Sequence, residues 1–391
     1  MQRSLLLVPA LALIVSACGE QNGYVFNGKT GDLNGKAVLT YRTSNQELVS
    51  DTVNMENGVF TFRGSVSEPV RGTVYIFPDG ESEISASVFV ENAVLNADFD
   101  LDNVVDYGRH GGRGFIDNAI TGGPNNEFWC GIRPMLDKRF SNDPQYSELY
   151  AGEQEIMALG YSDMALYDSL SEALVNRFSD ILDAYSAEQD KAQAEYALAH
   201  PDVEAAAYLF RSNCEGFSLD EIETAFSSFT PEVQQSYLAE KLRVDIAAMK
   251  ATAPGAEAPD FTLKNPEGTD VTLSSLRGQY VIIDFWASWC GPCRQGMPAM
   301  KELYAKYHEK GLEIIGVSDD SNEKDWLKAI EEDELPWIQT IDEFPVKNEP
   351  AIVGALYGVH YIPSYFLLDK EGKIIGKMEH DELEAKLAEL L

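Results

Sequence analysis

Basic residues are scarce in this chain of 391 residues. It contains 30 lysines and arginines against 64 aspartates and glutamates, which gives a formal net charge of −34. A nucleic-acid-binding protein needs a basic face to neutralise phosphates, so this balance argues against a nucleic-acid partner. The acidity favours a solvated, soluble surface; electrostatic steering of basic protein partners is the alternative.

Long apolar runs are scarce too, and only the N-terminus carries a targeting signal. Arg3 is followed by a short apolar stretch from Leu5 to Val15, which is typical of a signal peptide and too short to span a bilayer comfortably. The stretch ends in Val15-Ser16-Ala17-Cys18, which resembles a bacterial lipobox. This resemblance implies cleavage before Cys18 and a lipid on its thiol; an ordinary secretory signal or an uncleaved anchor is the alternative.

Cysteine and histidine are also few, with five of each. No second CxxC pair and no suitably spaced Cys/His pair occurs, so the sequence predicts no metal site. With Cys18 assigned to lipid and two cysteines close together near residue 290, Cys130 and Cys214 remain. In an oxidising compartment these two could form a structural disulfide, or each could stay a buried thiol, and both interpretations remain open.

The first half of the chain predicts two regions after a signal peptide at 1–17. Short β-like runs separated by turn residues, among them the hairpin signal Asn57-Gly58, predict a small antiparallel sandwich or partial barrel within 18–125. Apolar residues at three-and-four spacing, starting at Met164, then predict helices over 126–250. Within this region Ser218 and Glu221 form a capping box. The small, proline-containing segment from Ala251 to Ala256 predicts a linker.

Strands and helices alternate over the last region, 251–391. The predicted strands are Val281–Ala287, Leu312–Val317, Tyr365–Leu368 and Lys373–Lys377. The predicted helices are Pro292–Lys310, Asn322–Asp333, Pro350–Tyr357 and Asp381–Leu391. Such alternation is typical of an α/β sheet with helices on both faces.

One motif in this region carries chemistry. Cys290-Gly291-Pro292-Cys293 follows the apolar run Val281 to Trp286 and begins a predicted helix. The thiolate, not the thiol, attacks a disulfide, and the positive end of a helix stabilises a thiolate at its first residue. We therefore predict that Cys290 is the nucleophile and that Cys293, one turn into the helix, resolves the mixed disulfide.

The residues around this motif resemble those of a known family. The stretch from Phe285 to Cys293 resembles the thioredoxin active-site signature. Ala258 to Leu263 and Leu273 to Gly278 resemble the TlpA/ResA class of thiol-disulfide oxidoreductases, and Ile362-Pro363-Ser364 resembles their cis-proline loop. The resemblance covers the chain from about residue 256 to its end and implies a thioredoxin-like catalytic domain. The β-rich start is similar to an uncharacterised domain often fused to such envelope lipoproteins.

The resemblance also implies roles for single residues. Asp284 matches the buried acid of thioredoxins, whose pKa burial raises and which accepts the proton of Cys293. Pro363 matches the cis-proline, which presents the backbone of Ile362 to a substrate peptide. Further substrate contacts are expected at the residues flanking the nucleophile: Trp289, Gly291 and Pro292. The Gly-Pro dipeptide implies a low reduction potential, about −270 mV, and hence a reductant.

One residue departs from the family pattern. Gly296 stands where ResA-like proteins often carry a glutamate. ResA's own substrate and pH behaviour therefore do not transfer through the resemblance.

The sequence as a whole favours a lipid-anchored thiol-disulfide oxidoreductase of a Gram-negative-type cell envelope, facing the periplasm. Gly19 after the lipid site slightly favours the outer membrane. The expected partners are disulfide-bearing envelope proteins and a membrane electron donor that re-reduces the cysteines. No cofactor is expected, because the cysteine pair carries the electrons. The alternatives are a thioredoxin-fold peroxidase, which a peroxide-consumption assay would separate, and a partner-binding lipoprotein with a dispensable redox domain.

Overall fold

The first part of the chain forms two β-sheets. The protein's structure is a computed structural model that describes residues 23–106, 112–115, 120–160, 163–214, 216–344 and 351–391. The strands of this part are β1 Tyr24–Lys29, β2 Gly35–Arg42, β3 Leu48–Met55, β4 Val59–Gly64, β5 Val70–Pro78, β6 Ile84–Val90, β7 Val94–Asp98, β8 Val104–Asp106, β9 Arg113–Phe115 and β10 Ile120–Thr121. One sheet has the order β10-β7-β1-β4 and the other β3-β2-β5-β6-β9-β8.

The two sheets pack through alternating buried residues. In β2, Ala37, Leu39 and Tyr41 are buried while the residues between them are more exposed, as expected of a strand with one face on a core. Tyr41 meets Tyr24 of the other sheet edge to face, with ring centroids 6.4 Å apart. The predicted sandwich is confirmed. It is not purely antiparallel, because β1 pairs with β7 and β6 with β9 in parallel.

The Asn57-Gly58 turn has the backbone that its sequence predicts, but it does not join two paired strands. Asn57 and Gly58 have φ values of 52° and 73°, and a bridge between Glu56 and Val59 closes the turn. Beyond this bridge the chain diverges: β3 pairs with β2, and β4 pairs with β1 of the other sheet. The hairpin prediction is therefore wrong for the strands, because a turn fixes local direction only.

Helices follow the two sheets. They are α1 Pro124–Cys130, α2 Ile132–Phe140, α3 Ser147–Leu159, α4 Met164–Phe178, α5 Leu182–Leu198, α6 Glu204–Ser212, α7 Leu219–Ser228, α8 Pro231–Gln235 and α9 Glu240–Ala251. The capping box of Ser218 and Glu221 is present at the start of α7. In α4, Leu174 and Phe178 pack against a cluster around Phe140, whereas Met164 is 49% exposed. The spacing thus predicts the helix correctly, but its first turn is not buried.

The chain divides into two compact units, residues 1–206 and 207–391. The division falls within α6, so helices α1 to α5 belong to the first unit and α7 to α9 to the second. The predicted boundaries of the helical region, at 125/126 and 250/251, stay predictions. The signal segment with Cys18 lies outside the described residues. Within the part of the chain that is described, no helix is long and apolar enough to cross a membrane.

The second unit contains a seven-stranded sheet. Its strands are β11 Thr262–Lys264, β12 Asp270–Thr272, β13 Tyr280–Trp286, β14 Leu312–Ser318, β15 Ile338–Ile341, β16 Ser364–Leu368 and β17 Ile374–Met378, in the order β12-β11-β15-β14-β13-β16-β17. Its further helices are α10 Gly291–Tyr307, α11 Glu323–Asp333, α12 Ile352–Leu356 and α13 His380–Leu390. Buried clusters lie on both faces of β13, so the predicted α/β fold is confirmed.

The segment expected to be a linker is bound to the sheet. The backbone N–H of Gly255 donates to the carbonyl of Ile374 at 2.7 Å, and that of Ile374 donates to Ala256 at 2.9 Å. Ala258 continues this pairing with a hydrogen bond of 2.9 Å to Gly372. The end of the predicted linker is therefore paired with the start of β17, while its role as a boundary between domains stays a prediction.

Candidate active site

The two cysteines lie where β13 gives way to α10. Cys290 is the N-cap residue of α10, and Pro292 occupies its first turn, where a missing N–H costs nothing. Cys290 and Cys293 form a disulfide with their Cα atoms 5.3 Å apart. The backbone N–H of Cys293 also points at the Cys290 Sγ atom, with a distance of 3.1 Å. Reduction would therefore leave the Cys290 sulfur beside a backbone donor at a helix start, which favours the thiolate.

Both cysteines are buried, Cys290 slightly less than Cys293. Cys290 is 5% exposed and Cys293 1% exposed, whereas Trp289 beside them is 64% exposed. Cys290 is therefore the less deeply buried of the two cysteines, and its chain neighbour Trp289 is exposed.

The cis-proline loop faces Cys290. The Ile362–Pro363 peptide bond is cis, as the family resemblance implies. The carbonyl oxygen of Ile362 lies 3.7 Å from Cys290 Sγ. The Ser364 hydroxyl donates to the carbonyl of Tyr361 at 2.8 Å and closes the turn into β16. The loop thus places the backbone of Ile362 beside the sulfur predicted to react.

Asp284 is buried in the central strand. It is 1% exposed, and neither carboxylate oxygen has a hydrogen-bond partner within the described residues. Burial alone raises its pKa from 3.8 to about 7. Because side chains alternate along a strand, Asp284 shares a face of β13 with Ile282 and Trp286, which pack in the cluster that holds both cysteines. A carboxyl with such a pKa can take up or release a proton near neutral pH.

The helix carrying the cysteines leaves open space at Gly296. A Cβ atom at this position would meet only the hydroxyl of Tyr365, at 3.8 Å. Tyr365 is the cross-strand neighbour of Asp284. Pro298 lies inside α10, within the helix that the sequence predicts over Pro292–Lys310.

A groove of about 470 Å³ adjoins the site. Its lining includes Trp289, Ile362, Asp319 and Asp342. Burial, and after it the charges of Asp342 and Asp320, raises the pKa of Asp319 to about 6. No motif in the sequence marks these acids. The only signal was the pair Asp319-Asp320 directly after a buried strand, at the edge where active sites of parallel sheets occur.

Cys130 and Cys214 are present as thiols, the second of the two alternatives left open. Cys130 Sγ lies 3.5 Å from the carbonyl of Ile120, and Cys214 Sγ lies 3.4 Å from that of Arg211. Both residues are half-buried. Burial raises the pKa of the Cys130 thiol, so it is a poor nucleophile.

Two family models match the chain. The AhpC/TSA family matches residues 254–377, and a domain of unknown function, DUF4369, matches residues 24–129. Among curated proteins, the thiol-disulfide oxidoreductase ResA of Bacillus cereus is 36% identical over 160 residues, which cover 40% of this chain and 84% of ResA. The thioredoxin-like protein YneN of Bacillus subtilis is 37% identical over 138 residues, covering 34% of this chain and 78% of YneN.

Solved structures match as well. The thioredoxin domain of a thiol-disulfide oxidoreductase from Bacteroides vulgatus is 36% identical, covering 35% of this chain and 97% of that domain with a TM-score of 0.33. The fold, the cysteine pair and the curated relatives define a thioredoxin-like enzyme of thiol-disulfide exchange. The chain belongs to the ResA-like family of thiol-disulfide oxidoreductases and carries an additional N-terminal domain.

Proposed function

We propose that this enzyme reduces disulfide bonds in polypeptides through the dithiol of Cys290 and Cys293. The observation that supports the proposal is the close approach of the cysteine at the start of α10 to the cis-proline loop. A cysteine at a helix start lies 3.7 Å from the carbonyl oxygen of the residue before a cis-proline. The first element supplies a reactive sulfur, and the second supplies backbone for a peptide to pair with.

The reaction begins with the enzyme reduced. The Cys290 thiolate attacks one sulfur of the substrate disulfide, forms a mixed disulfide and releases the other substrate sulfur as a thiolate. The N–H of Cys293 and the start of α10 stabilise the attacking thiolate. The released thiolate takes a proton from water.

The second step returns the enzyme to the disulfide seen in the structure. Asp284 accepts the proton of the Cys293 thiol, and the resulting thiolate attacks Cys290 Sγ. The mixed disulfide breaks, and the second substrate sulfur leaves as a thiol with the proton. Two electrons have then passed from the cysteine pair to the substrate, with no cofactor involved.

Substrate binding uses backbone rather than a side-chain pocket. An extended peptide would pair with Ile362 by strand addition, which needs no particular sequence. Trp289 supplies an exposed aromatic surface, and Gly291 has open space around its Cα atom. With Pro292 beside them, these residues leave room for a polypeptide chain at Cys290.

The remaining parts of the proposal concern location and electron supply. We place the protein in a bacterial cell envelope, held by a lipid on Cys18, with the outer membrane favoured by Gly19. Its partners are disulfide-bearing envelope proteins and a membrane donor that re-reduces the Cys290–Cys293 disulfide. The lipobox resemblance and the family support these assignments.

The test is to trap the mixed disulfide. In Cys293→Ser the first step proceeds and the second cannot, so covalent complexes with substrate polypeptides should accumulate. Cys290→Ser is the matched control and should form none. Wild-type protein should reduce insulin disulfides in the presence of dithiothreitol. Equal activity of wild type and Cys290→Ser would refute the proposal and leave a binding role, and consumption of peroxide without insulin reduction would favour the peroxidase alternative.

A further inference from the structure

A helix outside the matched thioredoxin-like region reaches the cis-proline loop. α9 spans Glu240–Ala251, and the AhpC/TSA match begins only at residue 254. The Asp245 Oδ1 atom of this helix lies 3.3 Å from Nε2 of His360, close enough for an ion pair with the protonated imidazole. His360 precedes Ile362 by two residues and lines the groove beside Cys290.

Asp245 is itself held in place. Its other oxygen, Oδ2, accepts a hydrogen bond of 2.6 Å from Nε of Arg211 at the end of α6. The side chains of Asp245 and Arg211 are only 16% and 26% exposed. A charge pair shielded to this degree is fixed more firmly than one in open solvent, so Asp245 is a rigid point against which the loop can rest.

A second contact lies beside the first. Gly358 has a φ of +63°, and a Cβ atom there would come within 3.2 Å of the Ala248 side chain. Asp245 and Ala248 are three residues apart and therefore share one face of α9. The helix is anchored in turn, because Arg243 donates a hydrogen bond of 3.0 Å to the carbonyl of Ser236.

We infer that Asp245 of α9 is a positioning residue, which holds the loop from Gly358 to Pro363 so that the Ile362 backbone is ready to pair with a substrate polypeptide. The inference rests on the proposed function for the role of Ile362. Its physical basis is preorganisation: a loop ordered before binding loses less conformational entropy when the substrate pairs with it. The helices before the catalytic domain would therefore contribute to substrate affinity without touching the substrate.

The test compares Asp245→Asn with Glu240→Gln in the full chain. Both changes remove one negative charge from α9, but Glu240 is exposed and is the first residue of the helix. In Asp245→Asn the KM for reduction of insulin should rise about two- to fivefold, with little change in kcat. Turnover of hydroxyethyl disulfide, which is too small to pair with the loop, should stay unchanged. Glu240→Gln should match wild type with both substrates.

A second variant and a second readout keep the inference testable. His360→Asn removes the same contact from the exposed side of the pair, and in combination with Asp245→Asn it should add no further loss. In both variants, amide hydrogen exchange at Tyr361 and Ile362 should become faster while exchange in β13 stays unchanged. Unchanged exchange at these two amides would overturn the inference, as would equal losses with insulin and the small disulfide. If wild type reduces neither substrate, the proposed function fails, and the exchange rates still decide whether Asp245 braces the loop.

Discussion

Each unit of the protein contains a buried acid of special interest, Glu91 in the first and Asp284 in the second, and the two have opposite hydrogen-bonding surroundings. In the first unit, Glu91 is 4% exposed and accepts hydrogen bonds of 2.9 and 3.0 Å from the side-chain amides of Asn125 and Asn126. The backbone N–H groups of the same two asparagines also point at the carboxylate, at 3.4 and 3.3 Å. In the second unit, Asp284 is equally buried and has no partner within the described residues.

This difference separates an acid with a full set of hydrogen-bond donors from an acid with none among the described residues. Burial raises the pKa of both groups, but at Glu91 the four donors counteract the effect, whereas at Asp284 nothing does. Buried polar groups in folded proteins are normally hydrogen-bonded, so an exception needs an explanation. Glu91 joins α1 to the sheet that precedes it. Asp284 lies on the face of β13 whose Ile282 and Trp286 pack in the cluster with the cysteine pair, and no described residue donates a hydrogen bond to it.

The largest expected effect concerns the thiols of the two units. Cys290→Ser removes the nucleophile and should lower the rate of insulin reduction at least about a thousandfold. Cys130→Ser in the first unit should leave the rate within about twofold of wild type, because that thiol is half-buried and its pKa is raised. Both rates can be measured in one turbidity assay. A large loss in Cys130→Ser would show that the first unit takes part in the chemistry.

The variant Asp284→Asn tests how the buried carboxyl without hydrogen-bond donors affects the pH dependence of stability. Because its pKa is about 7 in the folded protein and near 3.8 in the unfolded chain, the folded state binds more protons between these values. The free energy of unfolding should therefore fall as pH rises from about 4 to about 7, by up to about 4 kcal/mol from this residue. Asp284→Asn should lack this contribution and be more stable than wild type at pH 8. Urea unfolding of both oxidised proteins from pH 4 to 8 measures the difference, and a constant difference would contradict the assignment.

Replacing the acid at Glu91 by its amide should lower the free energy of unfolding, whereas the corresponding change at Asp284 should raise it at pH 8. Glu91→Gln turns one acceptor into a donor that faces the N–H groups of Asn125 or Asn126, so buried donors lose their partners. We expect a loss of about 2 kcal/mol in the free energy of unfolding of the first unit at pH 7. Thermal or urea unfolding of the variant beside wild type checks this. Unchanged stability would show that the four donors at Glu91 contribute little.

The smallest expected effect in this comparison of the two buried acids is on the rate at which Cys293 resolves the mixed disulfide. Asp284→Asn should slow the attack of Cys293 on the mixed disulfide about 10- to 100-fold at pH 7, because the base is missing. The deficit should shrink above about pH 9, where the thiol ionises without help. Stopped-flow decay of a mixed disulfide between Cys290 and an aromatic thiol gives the rate. Glu91→Gln serves as the control and should resolve it at the wild-type rate; an equal rate in Asp284→Asn would remove Asp284 from the mechanism.

The sequence predicts local features of this protein well. The structure contains the helix that the residues around Cys290 predict. It also contains the cis bond before Pro363 and the buried Asp284, which the family resemblance implies. Long-range pairing was harder to foresee. The Asn57-Gly58 turn gives no indication that its two strands enter different sheets, because strand partners are chosen by burial far along the chain.

The contacts that surround the site could not be predicted from the sequence, for the same reason. Asp245 and His360 are 115 positions apart, and neither stands in a motif, so only the fold brings them together. Asp319 is similar, since its surroundings depend on Asp342 from another strand end. The role of a residue within a motif can be predicted from a sequence. The role of a residue that contacts a distant segment of the chain becomes visible only in the folded structure.

The pairing of residues 255–258 with β17 has a practical consequence. β17 is the last strand of its sheet, and this segment occupies hydrogen-bonding groups that an uncovered outer strand would offer to other molecules. A catalytic domain cut to begin at residue 260 would therefore be prone to self-association through β17. Anyone trimming the protein for crystallisation should keep Gly255, which lies one residue inside the start of the AhpC/TSA match at residue 254.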